Sequence, residues 1–289
     1  MKGIYKSEEG AQRIRQQYLQ FLNYWPAPST RHTVPTRHGE TFVIESGPEG
    51  APALLLLHGT MANSSIWMRE VATWSKYFRV FAIDIIGEPG MSAPSRPSLV
   101  SEAYTLWLED LMQAFALQTV SIVGVSLGAW IALDFAIRRS DRVAGLILLA
   151  PPGIGRNKNI LLWTLPLLML GPWGARKVKE KILGGPPVKL SPAAQSFADF
   201  MTMIFENTHP RTEKPPVFGD RALENLRMPT MVILGGKDVA VDSAGIKHRL
   251  QGLLPQASVR LLPAAGHHLG DQSGPILDFL SRTVMLAGP

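Results

Sequence analysis

The pentapeptide Gly124-Val125-Ser126-Leu127-Gly128 carries the strongest chemical signal in the chain. It follows a run with strand character, Val120–Val125, and opens a run with helical character, Leu127–Arg138. A serine on so sharp a strand-to-helix turn takes unfavourable backbone angles, and its neighbours two residues away must be small to avoid clashing. The turn lifts the hydroxyl above the sheet edge. It also points the helix N-terminus, and the Leu127 amide, at a reacting carbonyl. The chemistry this favours is attack by the Ser126 hydroxyl on an acyl carbon.

Such a hydroxyl needs a base, an acid behind the base and a second oxyanion donor, and each has a candidate at the end of another strand-like run. His58-Gly59-Thr60-Met61 directly follows Ala53–Leu57, and the Thr60 amide is the natural second donor. His58 reads as a structural residue bonded to its own loop. Asp238, in Gly235-Gly236-Lys237-Asp238 after Thr230–Leu234, is the acid, because a carboxylate at a strand's C-terminal end projects above the sheet. Asp242 reads as the N-cap of the following helix, and Asp84 as a structural group in its own loop. Gly266-His267-His268 follows Ala257–Leu262 and supplies an imidazole, whose ordinary pKa near 6.5 lets it take and return a proton at neutral pH.

The elements that must position these groups alternate. Glu40–Ser46, Ala53–Leu57, Arg79–Asp84, Val120–Val125, Ala144–Leu149, Thr230–Leu234 and Ala257–Leu262 read as strands, most of them apolar throughout. Continuous apolar strands belong in a parallel sheet covered on both faces. Between them, Ser64–Lys76, Ser101–Leu117, Leu127–Arg138, Ser243–Leu253 and Pro275–Leu286 read as helices, which makes the chain α/β. Residues 7–25 form a further amphipathic helix, with Ile14, Tyr18, Phe21, Leu22 and Trp25 on one face and Pro26 ending it. The alternation stops between Pro151 and Met228, a stretch too long for an ordinary connection. Helix-like pieces at Ile160–Leu170, Ala175–Leu183 and Pro192–Phe205 make it an inserted helical cap. We therefore expect an N-terminal helix at 1–30 docked on the core, a core at 31–151 and 226–289, and a cap at 152–225.

Composition excludes other classes. With 46% hydrophobic and 18% charged residues, the 289-residue chain is not disordered. It has no cysteine, which removes thiol nucleophiles, disulfides and Cys-ligated metals. The first residues, MKGIYKSEEGAQRIRQQY, contain no apolar signal segment, and no run approaches the roughly 18 apolar residues that span a bilayer. A cytoplasmic protein without integral membrane association is expected. The net charge is +6. Its densest basic group, Arg176, Lys177, Lys179 and Lys181, reads as a solvated helix face, so no nucleic-acid partner is expected. Oligomeric state is left open.

Taken together, HGTM at 58–61, DIIGEPGMS at 84–92, GVSLG at 124–128, GGKD at 235–238 and GHHLGDQ at 266–272 resemble the α/β-hydrolase fold superfamily, in its cap-bearing serine hydrolase form. The chain order Ser126, Asp238, His267 matches that family's nucleophile, acid and base. The resemblance implies a mostly parallel central sheet flanked by helices with an inserted helical cap. It also implies His267, directly after the glycine, as the base, which leaves His268 to line the pocket or pack nearby. The 84–92 segment departs from the usual glycine-rich form because Glu88 and Pro89 intervene. A serine nucleophile separates the chain from the haloalkane and epoxide hydrolases of this fold, which use aspartate.

The implied activity is hydrolysis of a small to medium, largely apolar ester through an acyl-enzyme, with no cofactor and no metal. Met61, Trp163, Phe200 and His268 are expected to line the substrate site. The same three residues would also serve a C–C bond hydrolase, a thioesterase or a cofactor-free perhydrolase. A non-catalytic ligand-binding relative is the reading from another class.

Overall fold

The computed structural model describes residues 3–156, 158, 164, 166–167, 169–183 and 191–285. Eight strands form one sheet: β1 (Ser29–Thr36), β2 (Gly39–Ser46), β3 (Ala53–Leu57), β4 (Arg79–Ile83), β5 (Val120–Val125), β6 (Val143–Leu149), β7 (Thr230–Gly235) and β8 (Ser258–Leu262). They lie in the order β1-β2-β4-β3-β5-β6-β7-β8. β1 pairs antiparallel with β2, and β2 antiparallel with β4. Every other pairing is parallel.

The period of two along each strand explains why both faces are apolar. Leu55 and Leu57 of β3 join one core cluster, with Ile122 of β5 and Val232 and Leu234 of β7. Leu54 and Leu56 join the other, with Val123, Met231 and Ile233. The first cluster is closed by α3 (Ala103–Ala114), α4 (Leu127–Arg138) and α8 (Ser243–Leu253), through Trp107, Trp130 and Ile246 among others. The second is closed by α1 (Glu8–Leu22), α2 (Met68–Trp74) and α9 (Ser273–Leu280), through Tyr18, Trp74 and Ile276. After β3 the chain adds β4 on one side and then returns to add β5 on the other. The strand order therefore reverses beside β3, and in open α/β sheets such a switch point, at the C-terminal ends of the strands, is where ligands bind.

Ser7 caps α1 by accepting the Gly10 amide at 3.0 Å, with Glu8 and Glu9 in the first turn. Between β6 and β7 lie α5 (Gly171–Leu183) and α6 (Pro192–Asn207). Phe200 and Ile204 of α6 are buried against α1. The segment before α1 binds the far end of α6: Lys6 N–H donates to Asn207 C=O at 2.9 Å, and His209 N–H to Ile4 C=O at 2.8 Å.

Two differences from the sequence reading have local causes. β1 was not anticipated, because only Val34 among its residues is buried and Pro35 interrupts it. An edge strand can carry such a residue, whereas a central one cannot. The run expected as one helix from Ser64 begins as a tight turn of 3₁₀ helix, Ser64–Trp67, capped by Asn63. The last part of the inserted segment packs on α4. Phe218 stacks on Trp130 at 5.5 Å, Trp130 donates to Pro216 C=O at 2.9 Å, and Leu223 is fully buried, within the helix Asp220–Glu224 that we label α7. Among the described residues no helix is long and apolar enough to cross a membrane.

Candidate active site

At the end of β5, Ser126 takes φ 52° and ψ −114°, a left-handed conformation that non-glycine residues rarely adopt. Holding it there stores about 1–3 kcal/mol, which the surrounding structure must offset. The turn is pinned on both sides. Ser126 N–H donates to Leu149 C=O of β6 at 2.9 Å, and Ser126 C=O accepts the first helical bond, from Trp130 N–H at 3.0 Å. The elbow glycines are required by space. A Cβ on Gly128 would run into the carbonyls of Leu57 and His58, and one on Gly124 into the backbone of Gly128 and Ala129. The first N–H groups of α4, Leu127 among them, have no acceptor within the helix.

The β3 loop lies against this elbow. A Cβ on Gly59 would stand 3.4 Å from Ser126 Cβ, so the loop passes within contact distance of the candidate nucleophile. His58 is fully buried; its Nδ1 lies 2.7 Å from Gly59 C=O, and its Nε2 accepts from Ile85 N–H at 2.9 Å. Nδ1 therefore carries the proton. Burial holds the His58 pKa below its ordinary value, against the raising effect of the Asp84 carboxylate and the Gly59 carbonyl. Thr60 is exposed, and Met61 is half-buried with φ 55°.

Asp84 binds three segments into one floor. Its Oδ1 accepts from Tyr18 Oη at 2.9 Å and Ser64 N–H at 2.8 Å, and its Oδ2 from Met91 N–H at 2.9 Å. Asp242 caps α8 by accepting the Gly245 amide at 3.2 Å. Both carboxylates are thus occupied by backbone.

Asp238 and His267 meet because the β7 and β8 loops are laced together. Gly236 N–H donates to Leu262 C=O and Lys237 N–H to Ala265 C=O, both at 2.8 Å. Side chains at Gly235 and Gly236 would strike the backbone of the β8 loop, so the close approach requires glycine at both positions. Asp238 Oδ2 then lies 2.8 Å from His267 Nδ1, and Oδ1 accepts from Ala240 N–H at 2.7 Å and Val241 N–H at 3.1 Å. Burial alone would raise the Asp238 pKa. The hydrogen bond and charge of His267, with the two amides, outweigh it and hold the carboxyl below its usual range. The His267 side chain is 21% exposed, and its other nitrogen, Nε2, is not used in the bond to Asp238.

The residues expected to line the substrate site fall on different elements. Met61 is in the β3 loop, packed at the edge of the second core cluster. His268 is exposed beside His267. Phe200 is 1% exposed and packs its ring on Phe21 at 5.1 Å and Tyr18 at 6.4 Å, which gives it a role in the α1–α6 contact. Trp163 lies outside the described residues. Among the described residues no cluster of His, Asp or Glu could hold a metal ion.

The sequence reading treated Glu88 only as an irregularity. It is fully buried, and its Oε2 accepts from Met61 N–H at 2.8 Å. The signal that marks it is a lone acid between Gly87 and Pro89, in a loop flanked by Ile85, Ile86 and Met91.

Residues 54–278 match the model of the alpha/beta hydrolase family. YbfK, a carboxylesterase of Bacillus subtilis (strain 168), is 29% identical over 267 residues, covering 90% of this chain and 89% of its own. A second, uncharacterized carboxylesterase of the same organism, nap, is 30% identical over 264 residues, covering 89% of this chain and 87% of its own. The crystal structure of naproxen esterase (carboxylesterase NP) from Bacillus subtilis is similar to this chain with a TM-score of 0.80 and 26% identity, covering 98% of this chain and 100% of that one.

Proposed function

The chain belongs to the alpha/beta hydrolase family, and on that premise we propose that it is a serine carboxylic ester hydrolase in which Ser126, His267 and Asp238 act as nucleophile, base and acid. One observation carries the reading: Asp238 Oδ2 holds His267 Nδ1 at 2.8 Å, on the same end of the sheet as the strained serine of the β5 elbow. β5 and β7 are separated by β6 alone. At about 4.8 Å per strand this leaves a gap of roughly 10 Å between the two strands. The β8 loop, laced to the β7 loop, carries the imidazole, and in this reading its Nε2 reaches across that gap to Ser126.

In this mechanism Ser126 Oγ attacks the ester carbonyl while His267 Nε2 takes its proton. The carbonyl electrons move onto oxygen, where the amides of Leu127 and Thr60 hold them. The tetrahedral adduct collapses, the alcohol leaves with the proton from Nε2, and the acyl group stays on Ser126. Water then attacks the acyl carbon, giving its proton to Nε2. The second adduct releases the acid, and the proton returns to Ser126 Oγ. Asp238 keeps the proton on Nδ1, so that Nε2 is the basic nitrogen, and stabilises the imidazolium.

The relatives named carboxylesterases support an ester as substrate. The apolar groups near the β3 loop and on α6, Met61, Phe197, Met201 and Met203, support a small to medium, largely apolar one. In this reading the helices between β6 and β7 form the cap over the core.

Replacing Ser126 with alanine tests the assignment. The variant is expected to keep its thermal midpoint and to lose roughly 10⁵–10⁶ of kcat on a p-nitrophenyl ester. A fluorophosphonate is expected to add its mass to Ser126 of the wild type alone. Ester turnover by Ser126→Ala at a wild-type rate would refute the mechanism.

A further inference from the structure

We propose that Glu88 is a positioning residue for the oxyanion donor at Thr60, an inference that rests on the catalytic reading above. Thr60 sits between two peptide planes, and each is pinned by a buried side chain. The carbonyl of the Gly59–Thr60 plane accepts from His58 Nδ1–H at 2.7 Å. In a planar trans peptide the N–H points opposite to the C=O, so this bond fixes the direction of the Thr60 N–H. The next plane, Thr60–Met61, is held by the Met61 N–H, which donates to Glu88 Oε2 at 2.8 Å. Met61 has φ 55°, a backbone conformation that a non-glycine residue keeps only when its surroundings impose it. The Glu88 carboxylate is the acceptor that the Met61 N–H meets in that conformation. Without that acceptor the Met61 amide loses its partner and the second plane can turn; the Thr60 Cα that joins the two planes then keeps one support of two, and the Thr60 N–H is aimed by the His58 bond alone.

The location argues against a merely incidental bond. Glu88 has a fully buried side chain, and burying a carboxylate is costly unless it is compensated. The compensation comes from the segment returning from α6. Arg211, whose side chain is 4% exposed, places Nε 3.7 Å from Glu88 Oε1, and neither of those two atoms has a hydrogen-bond partner among the described residues. Arg211 is itself anchored by the Tyr104 hydroxyl and by Glu213. Arg96 lies alongside, donating to Gly87 C=O at 2.7 Å and to His209 C=O at 2.9 Å. One oxygen of Glu88 thus serves the β3 loop, and the other faces a cation held by the chain that leaves α6. The bond to Met61 needs an acceptor oxygen and not a charge, so glutamine can supply it.

The experiment compares wild type, Glu88→Ala, Glu88→Gln and Glu88→Asp on a p-nitrophenyl ester. Each rate is divided by the concentration of sites that a fluorophosphonate labels at completion. Deleting a whole oxyanion donor costs about 10²–10³ in kcat; misaiming one is expected to cost about 10–100-fold. Glu88→Ala is expected to lose that factor in kcat per labelled site with KM within about twofold, and Glu88→Gln to recover at least half of the loss on a logarithmic scale. Should the alanine variant not fold, Glu88→Asp carries the same test, because it keeps the charge for Arg211 and withdraws the acceptor from Met61. The proposal is overturned if kcat per labelled site stays within threefold of wild type in the alanine or aspartate variant, or if glutamine loses as much as alanine. Wild-type protein that turns over ester without a label on Ser126 would instead sink the catalytic reading; full labelling of Ser126 with equal kcat in all four proteins sinks the role of Glu88 alone.

Discussion

Asp238→Asn changes one atom of the site, and the hydrogen bonds around that atom dictate the result. In the wild type Oδ1 accepts two backbone amides, from Ala240 and Val241, while Oδ2 faces His267 Nδ1 at 2.8 Å. An asparagine has one acceptor oxygen and one donor NH₂. Turning the NH₂ toward Ala240 and Val241 would set it against two donors, one half-buried and one buried, at about 1–3 kcal/mol for a buried amide left without an acceptor. The oxygen therefore stays with the two amides, and the NH₂ confronts His267 Nδ1. That nitrogen must then accept, the proton moves to Nε2, and the nitrogen that should take the proton of Ser126 already carries one. Loss of the acid's charge also removes its stabilisation of the imidazolium. The expected fall in kcat is about 10⁴-fold, or roughly 5 kcal/mol of barrier, with the geometry of the loop preserved. The assay is initial-rate hydrolysis of p-nitrophenyl butyrate at pH 7.5, with far-UV circular dichroism and a thermal melt as controls for folding. A folded Asp238→Asn protein within tenfold of wild-type kcat would refute both the tautomer reasoning and the assignment of Asp238 as the acid.

Two further outcomes concern stability. Gly128→Ala places a methyl group against the Leu57 and His58 carbonyls, which a strand end cannot yield, so urea unfolding should show a loss of about 3 kcal/mol; a loss under about 1 kcal/mol would contradict the packing. His58 has a depressed pKa in the folded state, so between its unfolded value near 6.5 and its lower folded value the unfolded chain binds the extra proton. Stability should therefore fall as pH drops below about 6.5, at up to about 1.4 kcal/mol per pH unit, and His58→Gln should remove this part of the slope; parallel profiles for the two proteins from pH 7 to 5 would count against it.

Much of the core is readable from apolar runs alone. β3, β5 and β7 are buried on both faces, and a strand so placed has no room for the polar alternation that would disguise it. β1 is hidden for the opposite reason: His32, Val34 and Pro35 lie on an edge, where solvent relaxes the demand on side chains. At the candidate site, Ser126, Asp238 and His267 stand at strand ends and sit in short glycine-marked segments, so chain order points to them. The links that hold them do not show in this way. Nothing local marks Asp84 as the joint for Tyr18, Ser64 and Met91, because its partners lie up to 66 residues away. Glu88 is similar: its meaning comes from Met61 and from Arg211, and both contacts exist only once the chain has folded.

The pairing of α1 with α6 bears on how the polypeptide is made. Ile14, Tyr18 and Leu22 form the apolar face of α1, and their cover includes Phe200 and Ile204, about 180 residues downstream. At 5–20 residues per second, a ribosome needs roughly 9–36 s to deliver that mate. Over this interval the early helix shows a greasy stripe to the cell, and chaperone capture competes with clumping between nascent chains. A message that stalls before codon 200 would release fragments with that stripe covered only in part, by β2 residues such as Phe42, so slow codons in this interval should lower soluble yield more than the same codons placed after it.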